Sequence, residues 1–198
     1  IFNLEMSREQ LASRLMSIES FVDGKKLLTG KLSNEEWNKL GMAAVSLSQT
    51  DIRVDDNPTI TVADMNAKCR RLDNLGLVIV DYLQIVAGPG KDEYSQVSAI
   101  SKSLHIMCQS LGIFCLALCQ LSRTRGARPS LEDLRSSGQL EQDADTIMLL
   151  YKEKPDDPRS RRVLKVAKNK EGIIGLIYLD FDGARQSFSE SGNGHEVM

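Results

Sequence analysis

Several signals are scarce in this 198-residue chain. It has four cysteines, Cys69, Cys108, Cys115 and Cys119, with no C-x-x-C pair among them. Its two histidines, His105 and His195, do not cluster with them, which excludes a zinc site of the usual spacing. Cys115 and Cys119 sit in the apolar run GIFCLALCQL, the setting of reduced thiols in a cytosolic protein. No stretch approaches the roughly 18 to 20 apolar residues of a membrane span. No signal peptide is visible, since the chain opens on the strand-like IFNL without Met, the mark of a piece of a longer protein. Charge of one sign is absent too. The formal net charge is -2, so any nucleic-acid contact must come from local basic loops rather than from a global field. There is no internal repeat and no low-complexity run. The phosphate-binding pattern G-x-x-x-x-G-K-[ST] does not occur. Gly24-Lys25-Lys26 has no Gly five residues before it and no hydroxyl after it, and Gly90-Lys91-Asp92 lacks the hydroxyl as well.

What is present alternates strand and helix. After the strand IFNL, Ser7 with Gln10 three residues later predicts a capped helix over 8–20, with Leu11, Leu15 and Ile18 on one face. Ser33 with Glu36 opens a second helix, and Thr61 a third that Gly76 would end. LVIVDYLQIV (77–86) is apolar on both faces, as a central parallel strand is. The polar segment 87–96 reads as a loop. Val97, Ile100, Leu104, Met107 and Leu111 then recur at helical steps, and Gly112 stops them. IFCLALCQL (113–121) reads as another buried strand, and 122–139 as a loop with a short helix near 130–136. Segments 145–151, 163–168 and 175–182 read as three strands with no helix between them. The tail carries no pattern and is expected to be frayed over 191–198. The order argues an α/β fold, a mostly parallel sheet with antiparallel strands at its C-terminal edge, in one domain over 1–190. Ligands of such sheets bind at the carboxyl ends of the strands.

Four strand ends carry polar residues. Glu5 follows the first strand and precedes a helix. It is either an acid favoured by the helix dipole or a general base that orients water toward a phosphate. Asp81 ends LVIVD, as a Walker B aspartate does, and could hold Mg²⁺ through water, because that ion keeps several waters. The plainer reading is a loop acid. Gln120 ends FCLALCQ and could sense a γ-phosphate, or be an amide satisfied by loop backbone. Lys168 and Lys170 point to one face of a strand end. They could reach a phosphate on a neighbouring subunit, or simply form a charged edge that discourages strand addition.

In this order and spacing, IFNLEMS, CRRL, LVIVDYLQIV, ALCQLSR, LRSSGQLEQDAD and AKNKEGIIG resemble consecutive blocks of DnaB-like replicative helicases, over Ile1 to about Glu190. DYLQ and the run from Ser137 to Asp145 are the most specific pieces. The resemblance implies a RecA-like P-loop NTPase core assembled as a hexamer, with ATP between subunits and single-stranded DNA through the centre. It implies Glu5 as catalytic glutamate, Asp81 as Walker B aspartate and Gln120 as the residue coupling the γ-phosphate to the DNA loops, the last two also binding nucleotide. Lys168 and Lys170 become the cations offered to the neighbour's nucleotide. Many relatives have Arg at position 170, whose planar fork differs from a lysine's point charge. Two loops would face the channel, one with Lys91, the other with Arg123, Arg125, Arg128, Arg135 and Gly138. In the family the stretch matching Arg135 to Gly138 tracks DNA phosphates, and an acid is common where this chain has Ser136. Such contacts carry no sequence information, and Tyr94 is the loops' one aromatic, so base stacking is minor. ATP, Mg²⁺, primase, a helicase loader, a cytoplasmic setting and 5′→3′ movement follow from the family alone. The phosphate loop is expected upstream of Ile1, so this polypeptide by itself is expected to be inactive, to expose apolar surface and to fold poorly. The competing readings are another RecA-type ATPase, which DYLQ and EQDAD oppose, and an ATPase-inactive remnant that binds DNA or assembles rings.

Overall fold

A computed structural model describes residues 1–121, 128–134 and 138–197, with side chains as far as position 192. Two hydrogen-bonded sheets organise it. The first is parallel, in the order β1 (Phe2–Asn3), β2 (Leu77–Asp81), β3 (Phe114–Ala117). On its far side β1 is flanked by residues 53–55, which accept from the Ile1 amine and the Asn3 N–H. The second sheet is antiparallel, β4 (Thr146–Lys152), β5 (Arg162–Asn169), β6 (Gly175–Asp182) and β7 (Ser187–Val197), in sequence order.

Helices fill the connections where capping predicts them. In α1 (Arg8–Ser20), Ser7 and Gln10 form the reciprocal cap, and Ser33 with Glu36 does the same for α3 (Asn34–Ser48). Between them α2 (Gly24–Thr29) is short and lacks an apolar period, which hid it from the sequence reading; Asp23 caps it. The fragment Gly24-Lys25-Lys26 is therefore the first turn of a helix and not a phosphate loop. Thr61 caps α4 (Val62–Cys69), which ends seven residues before Gly76, because the chain turns away at Arg70. The long helix α5 (Glu93–Leu111) starts inside the expected loop, since Asp92 and Ser95 make another reciprocal cap, and ends at Gly112 in the left-handed region (φ 65). A 3-10 turn at Leu131–Asp133 and α6 (Gly138–Asp143) stand near the expected short helix.

The main core lies between the parallel sheet and α4 and α5: Val78, Val80, Met65, Cys69, Ile100, Leu104 and Met107 are buried together. The described residues cover only one face of that sheet. Leu77 pairs with Phe114 and Ile79 with Leu116 on the other face, where Leu77 is 50%, Phe114 81% and Leu116 39% exposed. The expectation that 113–121 is a buried strand is thus corrected. Its composition asks for burial on both sides, but the described residues cover one. A smaller cluster joins Ile147 and Leu149 of β4 to Leu134, with Cys119 and Leu121 against it. The tail differs from expectation as well. A turn at 183–186 returns the chain, and β7 pairs with β6 as far as Gly175–Val197, backbone pairing there requiring no apolar alternation. All four cysteines are free.

Candidate functional site

The carboxyl ends of the parallel strands bring three of the expected residues together. Asn3 stands opposite Asp81, and the Leu4 N–H donates to the Asp81 carbonyl at 2.9 Å. The carboxylates of Glu5 and Asp81 therefore leave adjacent strand ends. Asn3 is the residue that turns the chain there. Its side chain is 2% exposed, and its Oδ1 accepts from the N–H groups of Glu5 (3.3 Å) and Met6 (2.9 Å). This side-chain turn competes with strand continuation, releases Glu5 to the surface and delivers the chain to the Ser7 cap. Sequence reasoning missed it, although a lone Asn two residues before a strand-end acid is a readable signal.

Burial pushes the Asp81 carboxyl above the usual aspartate range, the neighbouring Glu5 carboxylate adds to this, and the Arg14 guanidinium opposes it. The Glu5 carboxylate beside Asp81 makes a pair of acidic oxygen donors whose negative charge a divalent cation would neutralise. No group of three or more His, Cys, Asp or Glu able to hold a metal occurs among the described residues, so a cation at Asp81 would retain most of its waters, as Mg²⁺ does. The peptide after Asp81 is cis, and the chain enters a 3-10 turn at Leu83–Ile85.

Gln120 follows β3, one strand over from Asp81. Its backbone is clamped by Gln84: the Gln84 amide donates to the Gln120 carbonyl (3.1 Å) and to Cys119 Sγ (3.2 Å), and Gln84 Oε1 accepts from the Gln120 N–H (3.3 Å). The Gln120 side chain is left exposed at the strand end. DYLQ is a motif whose last residue has this mechanical explanation, which no periodicity could reveal.

Residues 1–190 match the family model of the DnaB-like helicase C-terminal domain. The chain belongs to that family. The replicative DNA helicase DnaB of Geobacillus stearothermophilus is 40% identical over 195 residues, covering 91% of this chain and 43% of that protein. The replicative DNA helicase DnaC of Bacillus subtilis is 38% identical with the same coverage. The chain thus spans less than half the length of these curated relatives. Among solved structures, an ATPase domain superposes with a TM-score of 0.88 at 29% identity, over 96% of this chain and 73% of that one. A DnaB-like replicative helicase studied for its interactions with primase gives 0.86 at 30%, over 94% and 49%. The fold is the RecA-like α/β core of these ATPase domains.

In this DnaB-like domain the two lysines lie on the other sheet, at the end of β5. The register of β4 and β5 shifts between Ile147 and Met148, a bulge that re-aims the strand end carrying them. The Lys168 ammonium donates to the carbonyls of Glu141 and Ala144 (the latter at 2.7 Å), at the C-terminal end of α6. Lys170 pairs with Asp145 at 2.5 Å, and its N–H donates to the Asp145 carbonyl at 3.0 Å. That ammonium holds the Asp145 carboxyl below the usual range, with His105 and Lys168 adding at longer reach. Among the described residues no hydrogen bond or ion pair joins the lysines to Glu5 or Asp81, so the two groups are separate within one chain.

Of the candidate DNA residues, Lys91 and Arg128 are exposed and Gly138 begins α6. Arg123, Arg125 and Arg135 lie outside the described residues. The segment before α5 is folded tightly over its first turn. The Gln96 amide donates to the Val86 carbonyl at 2.9 Å, and a Cβ at Gly90 would stand 2.5 Å from the Gln96 nitrogen. Gly138 in turn lies beside Tyr94, whose hydroxyl is 4.0 Å from where its Cβ would be. Lys91, Tyr94 and Gly138 therefore share one region, built from the starts of α5 and α6. Among the described residues no helix is long and apolar enough to cross a membrane.

Proposed function

We propose that this chain is the hydrolytic part of a replicative DNA helicase motor that couples ATP turnover to 5′→3′ movement on single-stranded DNA and to duplex unwinding. The observation that carries the reading is the adjacent exit of Glu5 and Asp81 from paired parallel strands, with Asn3 fixing the turn between strand and helix. Glu5, at the surface and next to Asp81, is suited to orient and deprotonate water for attack on a γ-phosphate. Mg²⁺ held through water at Asp81 would supply charge neutralisation on the phosphates. Gln120 stands at the next strand end, where a change at the phosphate reaches the segment that follows β3. Lys168 and Lys170 serve a neighbouring subunit's nucleotide in a homohexamer, which agrees with their separation from Glu5 in one chain. Lys91, Arg123, Arg125, Arg128, Arg135 and Gly138 hold DNA by its phosphates. Primase and a helicase loader are its partners, and it works in the cytoplasm of a bacterium or of a phage's host.

The test is Glu5→Gln in the full-length gene product. Nucleotide binding is expected to persist while DNA-stimulated turnover falls at least about 100-fold, the range of a lost general base. Unchanged turnover would leave Glu5 a mere helix-start acid and remove the main support for this reading.

A further inference from the structure

A lysine is a poor device for aiming charge. Its ammonium sits on four rotatable carbons, whereas an arginine presents a planar fork whose orientation comes with the group. Two lysines asked to meet a phosphate across a subunit boundary need something else to hold them, and the surroundings of Lys168 and Lys170 supply it. Lys168 spends two of its three donors on the carbonyls of Glu141 and Ala144, the acceptors that the end of a helix leaves unpaired. Lys170 spends one donor on Asp145, while its backbone N–H is tied to the carbonyl of the same residue. Counting partners among the described residues, each ammonium retains at least one donor for an incoming anion. α6 is itself anchored to α5, since Asp143 accepts from Ser101 of α5 at 2.7 Å. The Asp145 side chain is 72% exposed, so its ion pair contributes little to stability, and orientation is the use left for it.

We propose that Asp145 is the positioning residue of the trans-acting lysines, fixing Lys170 directly while the adjoining carbonyls at the end of α6 fix Lys168, so that the segment beginning at Gly138 and the cation pair move as one piece. The inference rests on the reading of Lys168 and Lys170 as phosphate-facing cations. It extends that reading to Asp145, the last residue of the Ser137–Asp145 motif, whose carboxylate meets Lys170.

Single-strand-stimulated ATP hydrolysis tests it, measured on the assembled full-length protein for Lys170→Ala, Asp145→Ala, Asp145→Asn and the double alanine variant. Lys170→Ala is expected to abolish most turnover. Asp145→Ala is expected to lower kcat about tenfold, with the KM for ATP within about twofold, because a misplaced group costs rate rather than binding. Asp145→Asn keeps an acceptor oxygen and should recover most of the loss. The double variant should be no slower than Lys170→Ala alone, since Asp145 acts through that lysine. Wild-type kcat in Asp145→Ala beside a dead Lys170→Ala overturns the positioning role and leaves the reading of the lysines intact. A rise in kcat, a loss carried by KM alone, or a further loss in the double variant also overturns it. Unchanged turnover in Lys170→Ala overturns the reading of the lysines, and this inference with it. Unchanged melting temperatures in all four variants show that the fold is intact in each comparison.

Discussion

Asn3 and Asp81 illustrate how single buried or half-buried polar groups shape this site. The Asn3 side chain satisfies two backbone donors that the turn leaves free. Asn3→Ala should therefore cost about 1 kcal/mol in denaturant unfolding. It should also lower turnover with little change in nucleotide affinity, because Glu5 loses its fixed exit. Full activity together with full stability would show the turn to be incidental. Asp81 gives a pH signature of defined sign. Its carboxyl is raised by burial and by Glu5, so the folded state disfavours the charged form. The stabilising contribution is present at acid pH and is lost as pH rises through the raised folded value. In the nucleotide-free protein, Asp81→Asn should raise the melting temperature at neutral pH, and the gain should vanish below about pH 4, where the unfolded carboxyl also protonates. A gain that persists at low pH would assign the effect to something other than this charge.

At the level of elements, short side-chain clamps set where strands and helices stop. β2 ends at Asp81 although the strand-like run continues to Val86, because the chain enters the 3-10 turn at Leu83–Ile85, its start still tied to the β3 side by the Leu83 N–H donating to the Leu118 carbonyl at 2.9 Å. Gln84 then fixes the backbone at the end of β3. Gln84→Ala is expected to leave secondary structure intact while reducing DNA stimulation of turnover, with basal hydrolysis less affected. Equal loss of both would place the clamp in stability rather than in coupling. The start of α5 is as tightly specified. Gly90→Ala drives a Cβ against the backbone of Gln96, and a shift of the capped turn is the only relief. A loss of about 1–3 kcal/mol in thermal or chemical unfolding is expected, as for other overpacked sites.

For the whole molecule, the uncovered face of the parallel sheet is the dominant feature. Among the described residues, Phe114, Leu116 and Leu118 stand exposed on and just after a strand paired on one side, and Met148 and Leu150 are open on β4. Such a surface drives association. The 198-residue polypeptide produced alone should bind a hydrophobic dye and self-associate, and Phe114→Lys with Leu116→Lys should reduce both. A monomeric, dye-silent wild-type polypeptide would contradict this view of the sheet. The curated relatives are more than twice as long as the stretch they share with this chain.

Much of this was legible beforehand, and for local reasons. Capping pairs at Ser7/Gln10, Ser33/Glu36 and Thr61 act within one turn, so α1, α3 and α4 begin where the sequence says. The strand-end positions of Glu5, Asp81 and Gln120 followed from apolar runs that stop at a polar residue, and the order of the motifs pointed to the DnaB-like family. The end of α4, the existence of β7 and the open face of β3 were not legible, because each depends on which distant segment supplies a partner. The same holds for the roles of Asn3, Gln84 and Asp145. A sequence shows that these side chains have donors and acceptors. Only the tertiary structure decides which backbone groups and which lysine come within reach, since hydrogen bonds act over about 3 Å and their partners here lie as far as 36 residues away along the chain.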